Sequence, residues 1–130
     1  MDSIVETDFL TVRPNMDLGE MVKIISKSFR NQFPVVDVGG ELIGMVVLDD
    51  IRNIIFRQEL YHRFHVEGFM KVPKTRIVNT DSMEEVMEKF DTTGAWNLPV
   101  VDREGKYIGM VSKSKMLNTY RQVMVDFSEE

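Results

Sequence analysis

The stretch "FPVVDVGGELIGMVVLDDI" runs from Phe33 to Ile51, and "LPVVDREGKYIGMVSKSKM" runs from Leu98 to Met116. A constant offset of 65 residues separates the two stretches, and the match continues for two further residues without a gap. Ten of the 21 paired positions are identical, whereas unrelated sequences of ordinary composition would agree at about one or two of them. The chain of 130 residues therefore contains an internal repeat that must build the same unit twice.

An amphipathic helix precedes each stretch. Its apolar residues follow the spacing i, i+3, i+4, i+7 of one helix face. They are Leu18, Met21, Val22 and Ile25 in the first half and Met83, Val86, Met87 and Phe90 in the second. Asp17 precedes Glu20 by three residues, and Ser82 precedes Glu85 by three, which is the spacing of a capping box. Two capped helices are predicted.

The repeated stretches are typical of β-hairpins. Pro34–Val36 and Pro99–Val101 are β-branched runs that begin with proline, so they read as strands. The segments "DVGGE" and "DREGK" then turn the chain, and Leu42–Val47 and Tyr107–Ser112 return as partner strands.

A second helix is predicted after each hairpin, beginning near Asp49 and near Ser114. Each unit therefore consists of a short strand, a helix, a hairpin and a helix, with a three-stranded sheet. We place the first repeat and its linker helix at residues 1–65 and the second repeat at residues 66–130. One such unit buries too little surface to be stable alone, so we expect an α+β fold in which the two pack through their sheets.

The composition excludes several classes of protein. A net charge of −5 and a pI near 5.1 would repel a phosphate backbone, so nucleic acid is not an expected partner. There is no cysteine, which excludes disulfides and thiolate sites and favours the cytosol. The longest apolar runs fall far short of the roughly 20 residues that cross a bilayer. The start, "MDSIVETDFL", does not read as a signal peptide, and we interpret it as a boundary within a longer protein.

The two copies of hydrophobic-Pro-Val-Val-Asp followed by Ile-Gly-Met-Val, each after a capped helix, resemble tandem cystathionine-β-synthase (CBS) motifs, the Bateman module. This resemblance covers nearly the whole chain. It implies two repeats related by a pseudo-twofold axis, with a cleft on each side where adenosine-containing ligands can bind. It also implies a regulatory part of a larger protein, a homodimer, and no enzymatic activity.

Members of the family that bind adenine nucleotides are similar at Gly-x-x-Thr-x-x-Asp, where the carboxylate takes both ribose hydroxyls. A carboxylate suits this role because it can accept two hydrogen bonds that are strengthened by its charge. The first copy keeps the carboxylate at Asp50 but has Val47 where the hydroxyl belongs. The second copy keeps a hydroxyl at Ser112 and replaces the carboxylate with Lys115. Neither copy is complete.

Two interpretations of these departures remain open. Ser112 and Lys115, at a helix start, could hold the phosphates of ATP, ADP or AMP; alternatively, both clefts have lost their ligand. The resemblance implies a binding set of Asp50, Ile77, Val78, Asn97, Leu98, Ser112 and Lys115. Trp96, the only tryptophan, could stack on a base, although packing at an interface is the more ordinary role.

Other chemistry has little support in the sequence. Three potential metal ligands follow one another at a spacing of three residues and could bind a metal ion: Glu59, His62 and His65. A solvated face of the linker is the default interpretation, so no metal site is predicted. Ser112 has no histidine nearby in the sequence, and no catalytic residue is predicted.

The parent protein is suggested by segments outside the motifs. "TDFLTVRPNMDLGEMVKIISKS", "VLDDIRNIIF" and "TTGAWNLPVVD" are similar to the cytoplasmic tail of bacterial ClC-type chloride channels and transporters. This similarity implies a location on the cytoplasmic side of the inner membrane, next to the membrane-embedded part of the channel. A ligand-free dimerisation module, or the CBS pair of another transporter or enzyme, remains open.

A homodimer is also expected from apolar helix faces, because pairing of identical copies is the commonest way to cover such surface. The faces comprise Met21, Val22, Ile25, Phe29, Ile51, Ile54 and Ile55.

Overall fold

The computed structural model describes residues 4–128 as an α+β fold of two similar halves. In chain order the elements are α1 (Leu18–Ser26), β1 (Gln32–Val36), β2 (Leu42–Val47), α2 (Leu48–Ile51), a 3-10 turn (Gln58–Leu60), α3 (Val66–Phe69), β3 (Ile77–Val78), α4 (Met83–Thr93), β4 (Asn97–Val101), β5 (Tyr107–Ser112) and α5 (Lys113–Ser128). The predicted order of strand, helix, hairpin and helix is confirmed in the second half, and β2 and β5 have the predicted bounds.

The strands of the two halves pair at equivalent residues. β1 pairs with β2, and β4 pairs with β5, in antiparallel hairpins, while β3 pairs with β4 in parallel. Where the second half aligns Ile77 with Val100, the first half has a single parallel bridge between Val12 and Val35. The Val12 N–H donates to the Pro34 carbonyl at 2.9 Å. The predicted third strand is therefore a strand in the second half and a single bridge in the first.

Both predicted capping boxes are present. The backbone N–H of Glu20 donates to Asp17 Oδ1 at 2.8 Å, and that of Glu85 donates to Ser82 Oγ at 3.1 Å. Each glutamate carboxylate in turn accepts from the backbone N–H of its cap residue. Because these boxes satisfy N–H groups that have no partner within a helix, they fix where α1 and α4 begin.

Each half has its own apolar core beneath its helices. The fully or nearly fully buried side chains of the first core are Val12, Met21, Phe33, Val35, Val46, Ile51 and Val66. Those of the second core are Ile4, Ile77, Val86, Phe90, Leu98, Val100, Val111 and Met116. A smaller cluster of Phe9, Met45 and Met110, bordered by Val47 and Tyr107, joins the two sheets. The expected packing through the sheets is confirmed by this cluster.

The halves also exchange backbone segments. Glu6 pairs with Met110 of β5, and Lys71 pairs with Met45 of β2, each through two backbone hydrogen bonds of 2.7 to 2.9 Å. The segment that leads into each repeat therefore crosses the sheet of the other repeat. Since 65 residues separate Glu6 from Lys71 and Met45 from Met110, these exchanges have the relation expected of a pseudo-twofold axis.

The helices after the hairpins are unequal. They begin at Leu48 and Lys113, one residue before the predicted positions, but α2 has 4 residues and α5 has 16. Within residues 4–128, no helix combines the length and apolar character that crossing a membrane requires.

The predicted dimer surface was wrong for several of its residues. Met21 and Ile51 are buried in the first core, and Ile54 and Ile55 pack against that core. Phe29, by contrast, is fully exposed. The apolar positions of α1 and α2 serve the core of this half because a repeat of this size needs both helices to cover its sheet.

Candidate functional site

An open cleft lies between the start of α2, the linker before β3 and the segment that leads into β4. Its volume is about 410 Å³. It is lined by Gln32, Met45, Val47, Asp50, Lys71–Lys74 and Gly94–Pro99. Three of the predicted ligand-binding residues, Asp50, Asn97 and Leu98, meet in this cleft, which we call the Asp50 cleft.

Asp50 carries the acidic group of this cleft. It lies in the first turn of α2, where its side chain keeps 37% of its accessible surface. Lys71 Nζ lies 3.0 Å from Asp50 Oδ2. The position of Lys71 is set by its backbone pairing with Met45. This pairing between the two repeats places the ammonium of Lys71 beside the carboxylate of Asp50. One carboxylate oxygen is paired with Lys71, and the other can accept hydrogen bonds from a ligand.

The opposite wall of the Asp50 cleft carries the only tryptophan. Trp96 is 74% exposed, and Lys113 Nζ lies 5.6 Å from the centre of its ring. The Lys113 N–H donates to the Trp96 carbonyl at 2.8 Å, which ties this wall to the first residue of α5. Asn97 and Leu98 follow as the first residues of β4. The wall thus offers an aromatic face and a backbone edge at the cleft.

The other four predicted residues lie elsewhere, so the predicted set does not form one site. Ile77 is completely buried in the second core. The Val78 N–H donates to Asp81 Oδ2 at 3.0 Å. Ser112 and Lys115 lie at the start of α5, where the Lys115 N–H donates to Ser112 Oγ at 3.2 Å.

The surroundings of Lys115 form the counterpart of the Asp50 cleft in the second repeat, which we call the Lys115 cleft. Arg30 Nη2 donates to both carboxylate oxygens of Asp8, at 2.7 and 2.9 Å, and lies 2.8 Å from Glu6 Oε2. The guanidinium carbon lies 4.3 Å from the ring centre of Phe9. Arg30 therefore connects the segment before β1 with the Glu6–Phe9 segment on β5.

In the Lys115 cleft, Arg30 is paired with both Asp8 and Glu6. The hydrogen bond from Arg30 holds the pKa of Asp8 below its usual value, and the charge of Lys115 lowers it further. The same hydrogen bond raises the pKa of Arg30. Burial raises the pKa of Tyr107, whose hydroxyl has no hydrogen-bond partner among residues 4–128. Asp8 and Arg30 both lie close enough to this hydroxyl to influence its pKa.

The histidine-rich segment does not gather into a metal site. Glu59 Oε1 pairs with Arg57 at 2.9 Å, and His62 Nδ1 lies 3.1 Å from Asp17 Oδ2. The His65 backbone bridges to Asp17. In the part of the chain that the structure describes, no cluster of three histidine or acidic side chains could hold a metal ion.

Sequence reasoning missed the basic side of the Asp50 cleft and the whole Arg30 cluster. The signal for the first is the segment "KVPK" from Lys71 to Lys74, directly before β3. The signal for the second would be the 65-residue offset itself, applied to residues before the first helix. That comparison aligns the KVPK segment with "ETDF", Glu6 to Phe9, and so predicts that both segments face a cleft.

The family model, a relative and a solved structure that match this chain all concern CBS domains. A family model of the CBS domain matches residues 1–57 and 66–121. A CBS domain-containing protein of Dictyostelium discoideum is 25% identical over 131 residues, covering 93% of this chain and 90% of that protein. The inosine-5'-monophosphate dehydrogenase of Aquifex aeolicus is 30% identical over 106 residues, covering 79% of this chain but only 21% of the enzyme. The solved structure of CBSX2 in complex with AMP has a TM-score of 0.74 at 20% identity, covering 94% of this chain and 96% of that chain.

Proposed function

Because the chain belongs to the CBS-domain family and carries two copies of the domain, we propose that it is a regulatory module whose Asp50 cleft binds an adenine nucleotide. The candidates are ATP, ADP and AMP. The observation that carries this proposal is the meeting of a carboxylate, an exposed aromatic ring and lysines around one open cleft. The complex of the similar protein CBSX2 with AMP supports the choice of ligand class.

Each part of a nucleotide has a suitable partner in the Asp50 cleft. The carboxylate of Asp50 can accept hydrogen bonds from the ribose diol. The ring of Trp96 offers a face on which a base can stack. Lys71 and Lys74, both exposed along the same wall, can attract phosphate oxygens. Asn97 and Leu98 supply the edge of β4 beside Trp96.

Calorimetric titration with AMP, ADP and ATP tests this function. We expect dissociation constants of about 10 μM to 1 mM, or roughly −4 to −7 kcal/mol, because the cleft lacks the hydroxyl expected at Val47. No heat with any of the three nucleotides, at protein concentrations that would reveal millimolar binding, would reject the ligand-sensing function. It would favour the ligand-free dimerisation module.

For the parent protein we propose a ClC-type chloride channel or transporter, with this module on the cytoplasmic side of the inner membrane. The support is the similarity of "TTGAWNLPVVD" and the other segments outside the repeated motifs. Since no catalytic residue is predicted in the sequence, we expect the effect of the module on transport to come from a difference in its conformation between states. A ligand that distinguishes the states modestly contributes about 1 to 3 kcal/mol to such a change.

The alternative parents are another transporter or a metabolic enzyme. Support for the enzyme comes from the similarity to inosine-5'-monophosphate dehydrogenase. The complete reading frame separates these possibilities, since a channel would add about ten hydrophobic helices, each of roughly 20 residues. For a ClC-type parent, chloride flux into liposomes should lose its nucleotide dependence when residues 1–130 are removed. Flux that is the same with and without the module at every nucleotide concentration would reject regulation.

A further inference from the structure

The two clefts occupy equivalent positions, but their charged residues are exchanged. The 65-residue offset pairs Asp50 with Lys115 and Lys71 with Glu6. The backbone confirms the second equivalence, because Lys71 pairs with Met45 as Glu6 pairs with Met110. Each cleft thus has one acidic and one basic residue in reversed places. The Lys115 cleft lacks a carboxylate at the position that Asp50 holds.

The Asp50 cleft and the Lys115 cleft also differ at two positions on their facing walls. Ala95 and Pro73, on facing walls of the Asp50 cleft, correspond to Arg30 and Asp8. An alanine and a proline have no polar side chain with which to cross the space between the walls. Arg30 and Asp8 cross it with two hydrogen bonds of 2.7 and 2.9 Å.

The aromatic and acidic neighbours complete this contact. Phe9, which replaces Lys74 of the open cleft, is 8% exposed and packs with Met110. Its ring supports the guanidinium of Arg30, and Glu6 adds a second carboxylate to the same nitrogen. The carboxylate of Asp8 thus pairs with Arg30 and is influenced by the charge of Lys115, the two cations that an anionic group of a ligand would find there.

We propose that the Arg30–Asp8–Glu6 cluster closes the Lys115 cleft, so that each chain binds one nucleotide, in the Asp50 cleft, rather than two. This inference rests on the proposed function for its ligand. The carboxylate of Asp8 acts as an internal substitute for the anion, and its removal alone would leave Glu6 to repel a phosphate. Nucleotide binding in the Lys115 cleft therefore requires exchange of the cluster as a whole.

The experiment places residues of the open Asp50 cleft at the equivalent positions of the Lys115 cleft. The variant carries Glu6→Lys, Asp8→Pro, Arg30→Ala and Lys115→Asp, each being the residue found 65 positions later or earlier. AMP is titrated calorimetrically into both proteins. We expect one AMP per chain for the natural sequence and two for the variant. Retained binding at the Asp50 cleft of the variant, weakened by Asp50→Ala, serves as the control for folding.

Three results would overturn the closure. The first is two AMP molecules per natural chain. The second is a single AMP that survives Asp50→Ala but is lost with Lys115→Ala. The third is a variant that still binds only one AMP, at the Asp50 cleft. Binding of none of AMP, ADP and ATP by the natural chain would instead reject the proposed function, and closure is then decided by a measurement without ligand.

That measurement uses the absence of cysteine from the chain. Met45→Cys and Met110→Cys place a single thiol at equivalent positions beneath the two clefts. We expect Ellman's reagent to react with the Met45→Cys protein at least roughly tenfold faster, because thiol reactivity follows access. Adding Arg30→Ala and Asp8→Ala should accelerate the reaction of the Met110→Cys protein. Equal rates in the two single variants would mean that the Lys115 cleft is not closed.

Discussion

Lys71 Nζ lies 3.0 Å from Asp50 Oδ2, although the two residues belong to different repeats. The pair exists because the segment before β3 crosses the sheet of the first repeat, where Lys71 pairs with Met45. Both side chains are partly exposed, so the ion pair itself contributes little to stability. Its consequence concerns ligands, because it places a cation beside the carboxylate that would hold a ribose.

Asp50→Ala should weaken adenine nucleotide binding about tenfold or more, since a hydrogen bond to a charged group contributes roughly 1.5 to 3 kcal/mol. Calorimetric titration with AMP measures the change. Asp49→Ala is the matched control, because Asp49 is the adjacent acidic residue and pairs with Arg52 instead. Equal affinities in the Asp50→Ala and natural proteins would place the nucleotide outside the Asp50 cleft.

Nucleotide binding should change the fluorescence of the protein, because the only tryptophan, Trp96, is 74% exposed at the Asp50 cleft. Stacking on a base contributes about 1 to 3 kcal/mol, so Trp96→Ala should lower the affinity roughly fivefold or more. Trp96→Phe retains an aromatic face and should bind more tightly than Trp96→Ala. Fluorescence that stays constant while calorimetry shows saturation would exclude contact between the base and Trp96.

Gly109→Ala should destabilise the protein more than Gly44→Ala, although the two glycines are equivalent in the repeats. A Cβ at Gly109 would lie 2.6 Å from the Glu6 carbonyl oxygen, whereas a Cβ at Gly44 would lie 2.7 Å from Met70 Sδ. Backbone cannot yield as a methionine side chain can, so we expect a difference of roughly 1 to 3 kcal/mol in the free energy of unfolding. Urea denaturation of both variants measures it, and equal losses would show that the segment around Glu6 moves freely.

The ion pair of Asp81 with Lys89 should make stability depend on pH. Lys89 Nζ lies 2.6 Å from Asp81 Oδ2, which also accepts from the Val78 N–H. Burial raises the pKa of Asp81, but these two hydrogen bonds outweigh it, so the net pKa is lowered. A lowered pKa in the folded state stabilises the protein above the unfolded value of about 3.9. This stabilisation is lost as the pH falls through the folded pKa.

Asp81→Asn tests this dependence. The variant should lose about 1.5 to 3 kcal/mol at neutral pH, and the difference from the natural protein should shrink below about pH 4. Asp91→Asn, an exposed position on α4, is the control. A difference that stays constant from neutral pH to pH 3 would show that the charge of Asp81 is not responsible.

A homodimer remains our prediction, now through α5 rather than through the faces of α1 and α2. The outer apolar side chains of α5 include Val123 and Met124, each 58% exposed, and Phe127, 79% exposed. Sedimentation should show twice the chain mass of 15.1 kDa at tens of micromolar protein. Met124→Glu should shift the protein toward monomer, while Val38→Glu in a hairpin turn should not. A natural protein that sediments as a monomer would exclude the dimer.

The fold was predictable from the sequence because the local signals in both repeats indicate the same helices, strands and turns. Capping boxes at Asp17 and Ser82, the hairpin turns and the helix spacing all recur at one offset, and each acts over a few residues. The length of α2 was not predictable in this way. The chain after Ile51 leaves the helix because Ile54 and Ile55 pack back on the core of the first half, which is a tertiary effect.

The candidate site was predictable only in part for the same reason. Asp50, Asn97 and Leu98 meet in one cleft as the family pattern implies. Nothing local assigns Lys71 or Arg30 to a cleft, because Lys71 reaches it through a segment that crosses to the other repeat and Arg30 through its contact with the crossing Glu6–Phe9 segment. The family pattern predicted that Ile77 contacts the ligand. In the structure, parallel pairing with Val100 buries the side chain of Ile77 in the second core.

The exchange of Glu6 and Lys71 between the repeats also affects how the protein folds during synthesis. Glu6 pairs with Met110, about 100 residues later in the chain. At a translation rate of roughly 5 to 20 residues per second, this partner arrives about 5 to 20 seconds later. The first repeat therefore leaves the ribosome with Val5 still without the second core and Phe9 still without Met110 and Tyr107. The two repeats must complete their structure together, so a pause in translation between them would prolong the exposure of this segment to chaperones and proteases.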